Sequence, residues 1–433
     1  MDFVKKQFEE SRFQLVPLRY VSDVVLGKML TPENKGGMTL KPYLRSLNVQ
    51  DGHLDTSSVN EMWFTNSELE KLTLRPGDLL VNEGGEVGRS SLVHGLVTDM
   101  GFQNSLNCVR PFKELTPEFL SYVFNYYFFI GYFDSVVDRV SIPHLTKDKL
   151  SQVRVPIPQL EEQQLISRYL DKKTEQIDSL IEKIQRKIEL LKEQRTSLIN
   201  QCVTKGLDPN VEMKDSGVEW IGDIPSHWEK TRIKFCSISK SGSTPNTNEE
   251  KYWNGDIPWV SPKDMKKDEI SDSIDKVTRD SVDESGLSMV DEGSILIVVR
   301  SGILHRKLPV GITTKPLTIN QDMKSFSVDP ESLNSKFLFY YLKGISGSVL
   351  NLWTKQGGGG QKSIDVNELQ NGTLVLPSVS EQTKITSFLD KKTNESDRLI
   401  ELMLRKIDLI TEYRKSLISS VVTGKVRVTE DMV

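Results

Sequence analysis

The sequence predicts an α+β protein: two mixed α/β domains separated by two long antiparallel coiled-coil helices, with an internal pseudo-two-fold repeat. Three observations predict it. A block of residues recurs at constant spacing, the recurring block has the apolar period of a long helix, and the stretch before each copy reads as short strands mixed with short helices. The expected boundaries are a globular domain over 1–157, a helix over 158–205 and a linker over 206–227. A second globular domain follows over 228–376, then a second helix with a C-terminal tail over 377–433.

The repeat comes first, because a fixed internal period decides the architecture. Leu170-Asp171-Lys172-Lys173-Thr174 returns 219 residues later as Leu389-Asp390-Lys391-Lys392-Thr393. The same offset, without a gap, pairs Pro158 with Pro377, Glu162-Gln163 with Glu381-Gln382, and Leu180-Ile181-Glu182 with Leu399-Ile400-Glu401. It also pairs Arg186-Lys187-Ile188 with Arg405-Lys406-Ile407, and Ser197-Leu198-Ile199 with Ser416-Leu417-Ile418. Upstream the correspondence is fainter, near an offset of 216. There Gly77-Asp78-Leu79-Leu80 answers Gly293-Ser294-Ile295-Leu296, Pro42-Tyr43 answers Pro258-Trp259, and Asn104 answers Asn320. The helical parts stay alike while the globular parts have drifted.

Both recurring blocks lack internal Gly and Pro, over 161–204 and over 380–423. A heptad frame fits each, as two packed helices require. In the first, one seam position is Leu170, Ile177, Ile184, Leu191 and Leu198, and the other is Thr174, Ile181, Ile188, Arg195 and Cys202. In the second they are Leu389, Ser396, Met403, Ile410 and Leu417, with Thr393, Ile400, Ile407, Arg414 and Val421. Each block starts after a proline. Ser378-Val379-Ser380-Glu381 has the form of a capping box, and Gly206 and Gly424 stand where the helices should stop. Roughly 43 residues at ~1.5 Å rise give a rod of about 65 Å. That exceeds the ~34–36 Å of one DNA turn. Thr174 and Thr393, and Arg195 and Arg414, interrupt the seam at matching places. Either they fix register or partner number, or the arginine stems reach out of the seam to water.

Composition bounds the function. The chain has 433 residues, too many for one ordinary core, and the 37% hydrophobic and 27% charged content of a globular protein. No apolar run approaches the ~20 residues of a membrane span, and the N-terminus has no apolar signal segment. Cys108, Cys202 and Cys236 lie far apart, which suits a reducing cytoplasm and no thiolate metal site. Five isolated histidines and the absence of zinc-protease, serine-hydrolase or methyltransferase signatures predict no catalysis and no bound cofactor or metal. Carboxylates are many, so a nuclease cluster assembled in space stays open. The net charge of −4 neither supports nor excludes a nucleic-acid partner, since phosphate contacts need only a local basic face.

Within the globular parts, several side chains suit DNA edges and phosphates. Tyr43, Arg45 and Asn48 sit in one strand-like run, and Trp259, Lys263 and Asp264 in its counterpart. Gln103, Asn104, Asn320 and Gln321 carry amides that can bond adenine edges, while Arg89, Arg300 and Arg306 suit guanine or phosphate. Each also reads as an ordinary solvated residue. Gly357-Gly358-Gly359-Gly360-Gln361-Lys362-Ser363 is not a phosphate-binding P-loop, because Gln361 separates the last glycine from Lys362. It is either a loop bringing Gln361 and Lys362 to DNA or a hinge.

Three features together resemble the specificity subunit of type I restriction-modification enzymes. They are the twice-used helix opening Pro158…Glu162-Gln163…Leu170-Asp171, the linker through Gly217-Val218-Glu219-Trp220 to Trp228, and the opening of the second domain. That opening runs from Gly242-Ser243-Thr244-Pro245 through Tyr252-Trp253 to Gly255-Asp256-Ile257-Pro258-Trp259. The first domain departs from the pattern, since Gly27 to Thr31-Pro32 echoes it poorly. The resemblance implies two target-recognition domains, each reading half of a bipartite double-stranded DNA site, and helices that set the spacer. It further implies two methyltransferase subunits docked on the helices and restriction/motor subunits. S-adenosylmethionine, ATP and Mg belong on those partners. A scaffold that binds no DNA is the alternative.

Overall fold

The computed structural model describes residues 8–9, 11–50, 52–95, 99–137, 144–356 and 360–433. It divides into two compact units. One is Met1–Ile184 with Leu404–Val433 and the other is Gln185–Met403, so each long helix is shared between the units.

In the first unit, strands Ser22–Leu26, Leu106–Pro111, Leu79–Asn82 and Ser90–Leu92 form an antiparallel sheet in that order. Beside it, Asn60–Phe64, Thr39–Leu44 and Gly101–Phe102 form a second sheet whose last pair is parallel. In the second unit, the sheet order is Ser237–Ser241, Met323–Val328, Ile295–Val298, Val310–Thr313 and Glu269–Ile270. Its partner sheet is Lys276–Val277, Trp253–Val260 and Thr318–Ile319, again with the last pair parallel. Apart from the extra edge strand Glu269–Ile270, the order of neighbours is the same in both, so the duplication extends through the diverged parts. The central strands Leu79–Asn82 and Ile295–Val298 are buried at every position, as near-continuous apolar runs covered on both faces should be.

The second unit adds a small sheet of Arg300–Ser301, Lys362–Ile364 and Thr354–Gln356. Each domain then supplies an aromatic helix, Pro117–Phe129 or Ser335–Gly344, and a last strand, Arg154–Pro156 or Thr373–Leu376. That strand leads into a long helix.

The long helices run Leu160–Lys205 and Val379–Val422. In the first unit Ile166 and Leu170 share a core with Ile418, Val421 and Val422. In the second unit Ile199, Cys202 and Val203 share a core with Ile385 and Leu389. The beginning of one helix meets the end of the other in each unit, so they pack antiparallel. Seam residues Leu170, Ile177, Ile184, Ile188 and Leu389 are buried. Ile181, Leu191, Leu198, Ile400, Met403, Ile407, Ile410 and Leu417 are half-buried. Both helices stop at left-handed glycines, Gly206 at φ 78° and Gly424 at φ 73°, a conformation that costs a side chain but not glycine.

Two local expectations need correction. The capping box is half made: Ser378 Oγ accepts from the Glu381 amide, but the Glu381 carboxylate turns to the indole of Trp228. The strand-like run through Tyr43 ends at Leu44, because Arg45 opens a 3-10 turn over Ser46–Asn48. Likewise Lys263 and Asp264 lie in a turn after the strand that holds Trp259.

Candidate nucleic-acid interface

Whatever surface the domains present is oriented by how each is fixed to the helices, and that joint is built the same way twice. Gln163 is fully buried at the start of the first long helix. Its Nε2 donates to the Glu114 and Pro158 carbonyls at 2.8 and 2.9 Å, and its Oε1 accepts from the Thr116 amide at 2.8 Å. Gln382 does the same with Ser332, Pro377 and Asn334 at 3.0, 3.0 and 2.7 Å. One amide therefore satisfies three backbone groups from the loop before the aromatic helix and the turn before the long one. The neighbouring glutamates hold the domain's first segment: Glu162 pairs with Arg12, and Glu381 accepts from Trp228 Nε1 at 3.1 Å.

About two turns further along, Tyr122 Oη donates to Asp171 at 2.7 Å and lies 3.3 Å from Thr174 Oγ1. Tyr340 Oη meets Asp390 at 2.8 Å and Thr393 at 3.2 Å. Burial, with the adjacent carboxylate, pushes both phenols well above the usual tyrosine range. These contacts explain the polar seam positions: Thr174 and Thr393 serve the domain, not partner number. The seam arginines do not simply reach water either. Arg195 pairs with Asp397 at 3.1 Å, and Arg414 with Asp178 at 3.3 Å, the same pair at the 219-residue offset.

The predicted DNA contacts separate into two groups. Tyr43, Asn48, Trp259 and Asn320 are interior residues, between 2% and 8% exposed. Asn48 accepts from the Arg45 amide and donates to the Asp55 and Ser58 carbonyls, while Asp264 accepts from the Ser261 and Ile274 amides. Both shape the turn they sit in. Their sequence signal was polarity, and burial redirected that polarity inward. At the surface, Lys263 pairs with Asp275 and Arg300 with Asp322, each at 2.6 Å. Gln321 accepts from Thr244. Gln361 is exposed, and Lys362 is half-buried in the strand opposite Ser301. Arg306 is exposed with no ion pair among the described residues. In the first unit Arg45, Gln103 and Asn104 are half-buried, and Arg89 is half-buried beside Glu86. Gly357, Gly358 and Gly359 lie outside the described residues.

The structure also corrects the internal alignment. Gln103, not Asn104, answers Asn320: their amides bond the Leu44 and Val260 carbonyls, the ends of equivalent strands. Gly27 and Gly242 are equivalent too, despite their dissimilar surroundings in sequence. A Cβ at either would lie 2.1 or 2.0 Å from the carbonyl oxygen of Gln103 or Asn320.

Sequence reading missed several structural polar groups. Arg110, inside the first unit, bonds Asp78 at 3.0 Å and the Lys71 and Thr73 carbonyls. At the equivalent place Ser294 Oγ and Ser327 Oγ are 2.9 Å apart. The paired substitutions, Asp78 to Ser294 at an offset of 216 and Arg110 to Ser327 at 217, were the available signal. The three cysteines are free and buried, and burial pushes the Cys202 thiol up to about 11, so it stays protonated. Among the described residues no group of three or more His, Cys, Asp or Glu is placed to hold a metal, and no helix is long and apolar enough to cross a membrane.

A duplicated pair of α+β domains, each clamped to two shared antiparallel helices by repeated side chains, defines the class of protein. The chain belongs to the type I restriction modification DNA specificity domain family, whose model matches residues 28–190 and again 225–408. It is 31% identical over 283 residues to the EcoR124I/EcoR124II specificity subunit of Escherichia coli, an alignment spanning 62% of this chain and 64% of that one. It is 25% identical over 420 residues to the putative MjaX specificity subunit of Methanocaldococcus jannaschii, covering 95% and 93% of the two chains. In fold it is similar to a chain from a study of assembly and conformational transition in the type I R-M system. The TM-score is 0.70 at 17% identity, covering 96% of this chain and 98% of that one. The HsdS subunit from Thermoanaerobacter tengcongensis gives 0.55 at 16% identity, covering 96% and 97%.

Proposed function

We propose that this chain is the sequence-specific DNA-recognition subunit of a type I restriction-modification complex, each globular domain reading one half of a bipartite site. The carrying observation is the contrast between the copies: the clamping glutamines, the tyrosine contacts to Asp and Thr and the Arg–Asp pairs of the helices recur at equivalent places, while the domain sequences they orient have diverged. A shared frame with two different faces suits two different half-sites. Arg45, Arg89, Gln103, Asn104, Lys263, Arg300, Arg306, Gln321, Gln361 and Lys362 are the side chains assigned to bases or phosphates.

The helices set the distance between half-sites and dock two methyltransferase subunits. Large apolar side chains left exposed on them, among them Leu180, Leu190, Leu402 and Leu409, suit that docking. Chemistry belongs to the partners. The methyltransferase subunits would carry S-adenosylmethionine, the motor subunits ATP and Mg, and this chain is non-catalytic.

Exchanging residues 13–157 for another recognition domain should change one half of the methylated motif and leave the other intact. Adding one heptad to both helices should lengthen the spacer. Methylation mapping of host DNA reads both results. An unchanged motif after the exchange would refute the assignment of half-sites, and an unchanged spacer would refute the helices as the ruler.

A further inference from the structure

The second unit carries a basic cleft that the reading residues do not account for. It has a volume of about 550 Å3 and lies between its part of the first long helix and its sheet domain. Six cations line it, Lys192, Arg195, Lys266, Lys267, Lys307 and Lys343, against two carboxylates, Asp268 and Asp397. Both carboxylates are already used. Asp268 pairs with Lys343 at 2.6 Å and with Arg195 at 3.5 Å, and Asp397 pairs with Arg195. Lys192, Lys266, Lys267 and Lys307 are exposed and have no ion pair among the described residues. Glu193, beside Lys192, and Glu269, just after Lys267, are nearby carboxylates with no ion pair among the described residues, so the lysines still outnumber them.

The positive charge is continuous with the reading residues. Lys266 and Lys267 follow Lys263 in one turn, and Lys307 follows Arg306. Lys192 carries the charge onto the long helix. At the bottom of the cleft Lys343 is held below the ordinary lysine range by burial, only partly opposed by Asp268. An added anion at the rim would relieve that shortage. The cleft is too small to admit a duplex, so a duplex would lie across the mouth and meet the lysine tips. Lysines are flexible point charges suited to phosphate and not to base edges. The first copy lacks the set: by offset and strand pairing its equivalents are Thr411, Gln50, Asp51 and Val87.

We infer that Lys192, Lys266, Lys267 and Lys307 grip the DNA backbone next to the second half-site, holding the unread spacer by its phosphates whatever its sequence. The inference rests on the DNA-reading function above and adds an asymmetric, sequence-independent grip to it.

The test uses the full chain assembled with its methyltransferase subunits and a fluorescein-labelled duplex of mixed sequence, titrated across salt concentrations. Replacing all four lysines by alanine should weaken binding tenfold or more at low salt, to a similar degree on any sequence. The slope of log affinity against log salt should fall by roughly 0.9 per lysine engaged. The Lys→Arg version should retain both. A wild-type complex that binds with steep salt dependence, and a quadruple variant that matches it, would overturn the grip alone. If instead the variant loses its methyltransferase subunits while DNA contacts persist, the cleft is a protein interface and the inference is wrong. Absence of any binding by the wild-type complex would remove the DNA-reading function, and the grip with it.

Discussion

Between the central strand and its neighbour, the two units fill the same place differently. The first buries an ion pair, Asp78 with Arg110, whose side chains are 4% and 15% exposed. The second puts two serines there, Ser294 and Ser327, in contact at 2.9 Å. A buried charge cannot change alone, because its partner would be left unpaired in a low dielectric. The interiors therefore drifted in matched pairs. At the domain–helix joints the glutamine clamp did not drift, because Gln163 and Gln382 satisfy backbone groups that every version of the loop must present, whereas Glu162 meets Arg12 where Glu381 meets Trp228.

The largest expected effect tests that coupling. Asp78→Ser alone should cost the first unit about 3–5 kcal/mol by stranding Arg110. The double change to Ser at 78 and 110, which copies the second unit, should recover at least half of that. Denaturant unfolding of the four proteins in the cycle measures it, and additive losses would break the comparison. Next come the clamps. Gln163→Leu and Gln382→Leu each orphan three backbone groups and should each cost about 3 kcal/mol. Unequal losses would show that the joints are alike only in geometry.

The seam arginines should differ more modestly. Arg195 bridges Asp397 and Asp268, whereas Arg414 has Asp178 alone among the described residues. Both are partly exposed, so screening reduces the gain. Arg195→Met should cost roughly 1 kcal/mol more than Arg414→Met, and the gap should close at high salt. Thermal unfolding at two ionic strengths would show it.

The smallest effect is alkaline. Tyr122 and Tyr340 have phenols raised in the folded state, so their contribution is fully present below about pH 10, the unfolded tyrosine value. It is lost as pH rises from there through the folded values. Replacing both by Phe should flatten stability above pH 10, and a pH series of unfolding curves would reveal an unchanged slope if the phenols play no part.

Much of this was legible in the chain. The 219-residue offset, the heptads and the terminal glycines predicted two long antiparallel helices, and the helices lie there. The fainter offset of 216 predicted that the globular parts correspond, and their strand order does. The site was far less legible. Tyr43, Trp259, Asn48 and Asn320 read in the sequence as surface readers and are interior, because polarity in a sequence does not say whether a water or a backbone group satisfies it. Gln163 and Gln382 were visible as repeated letters, but nothing local said that they join segments nearly fifty residues apart.

The sequence by itself determined the duplication, the helix length and the face each helix buries. Those depend on periodicity, which is a local and additive signal. Tertiary structure alone decided that the seam threonines serve the domains and that Gln103 is the partner of Asn320. It also decided that Lys192, Lys266, Lys267 and Lys307 gather at one cleft of the second unit. Each of these depends on which distant groups meet, and hydrogen bonds and charges are satisfied by neighbours in space whatever their separation along the chain.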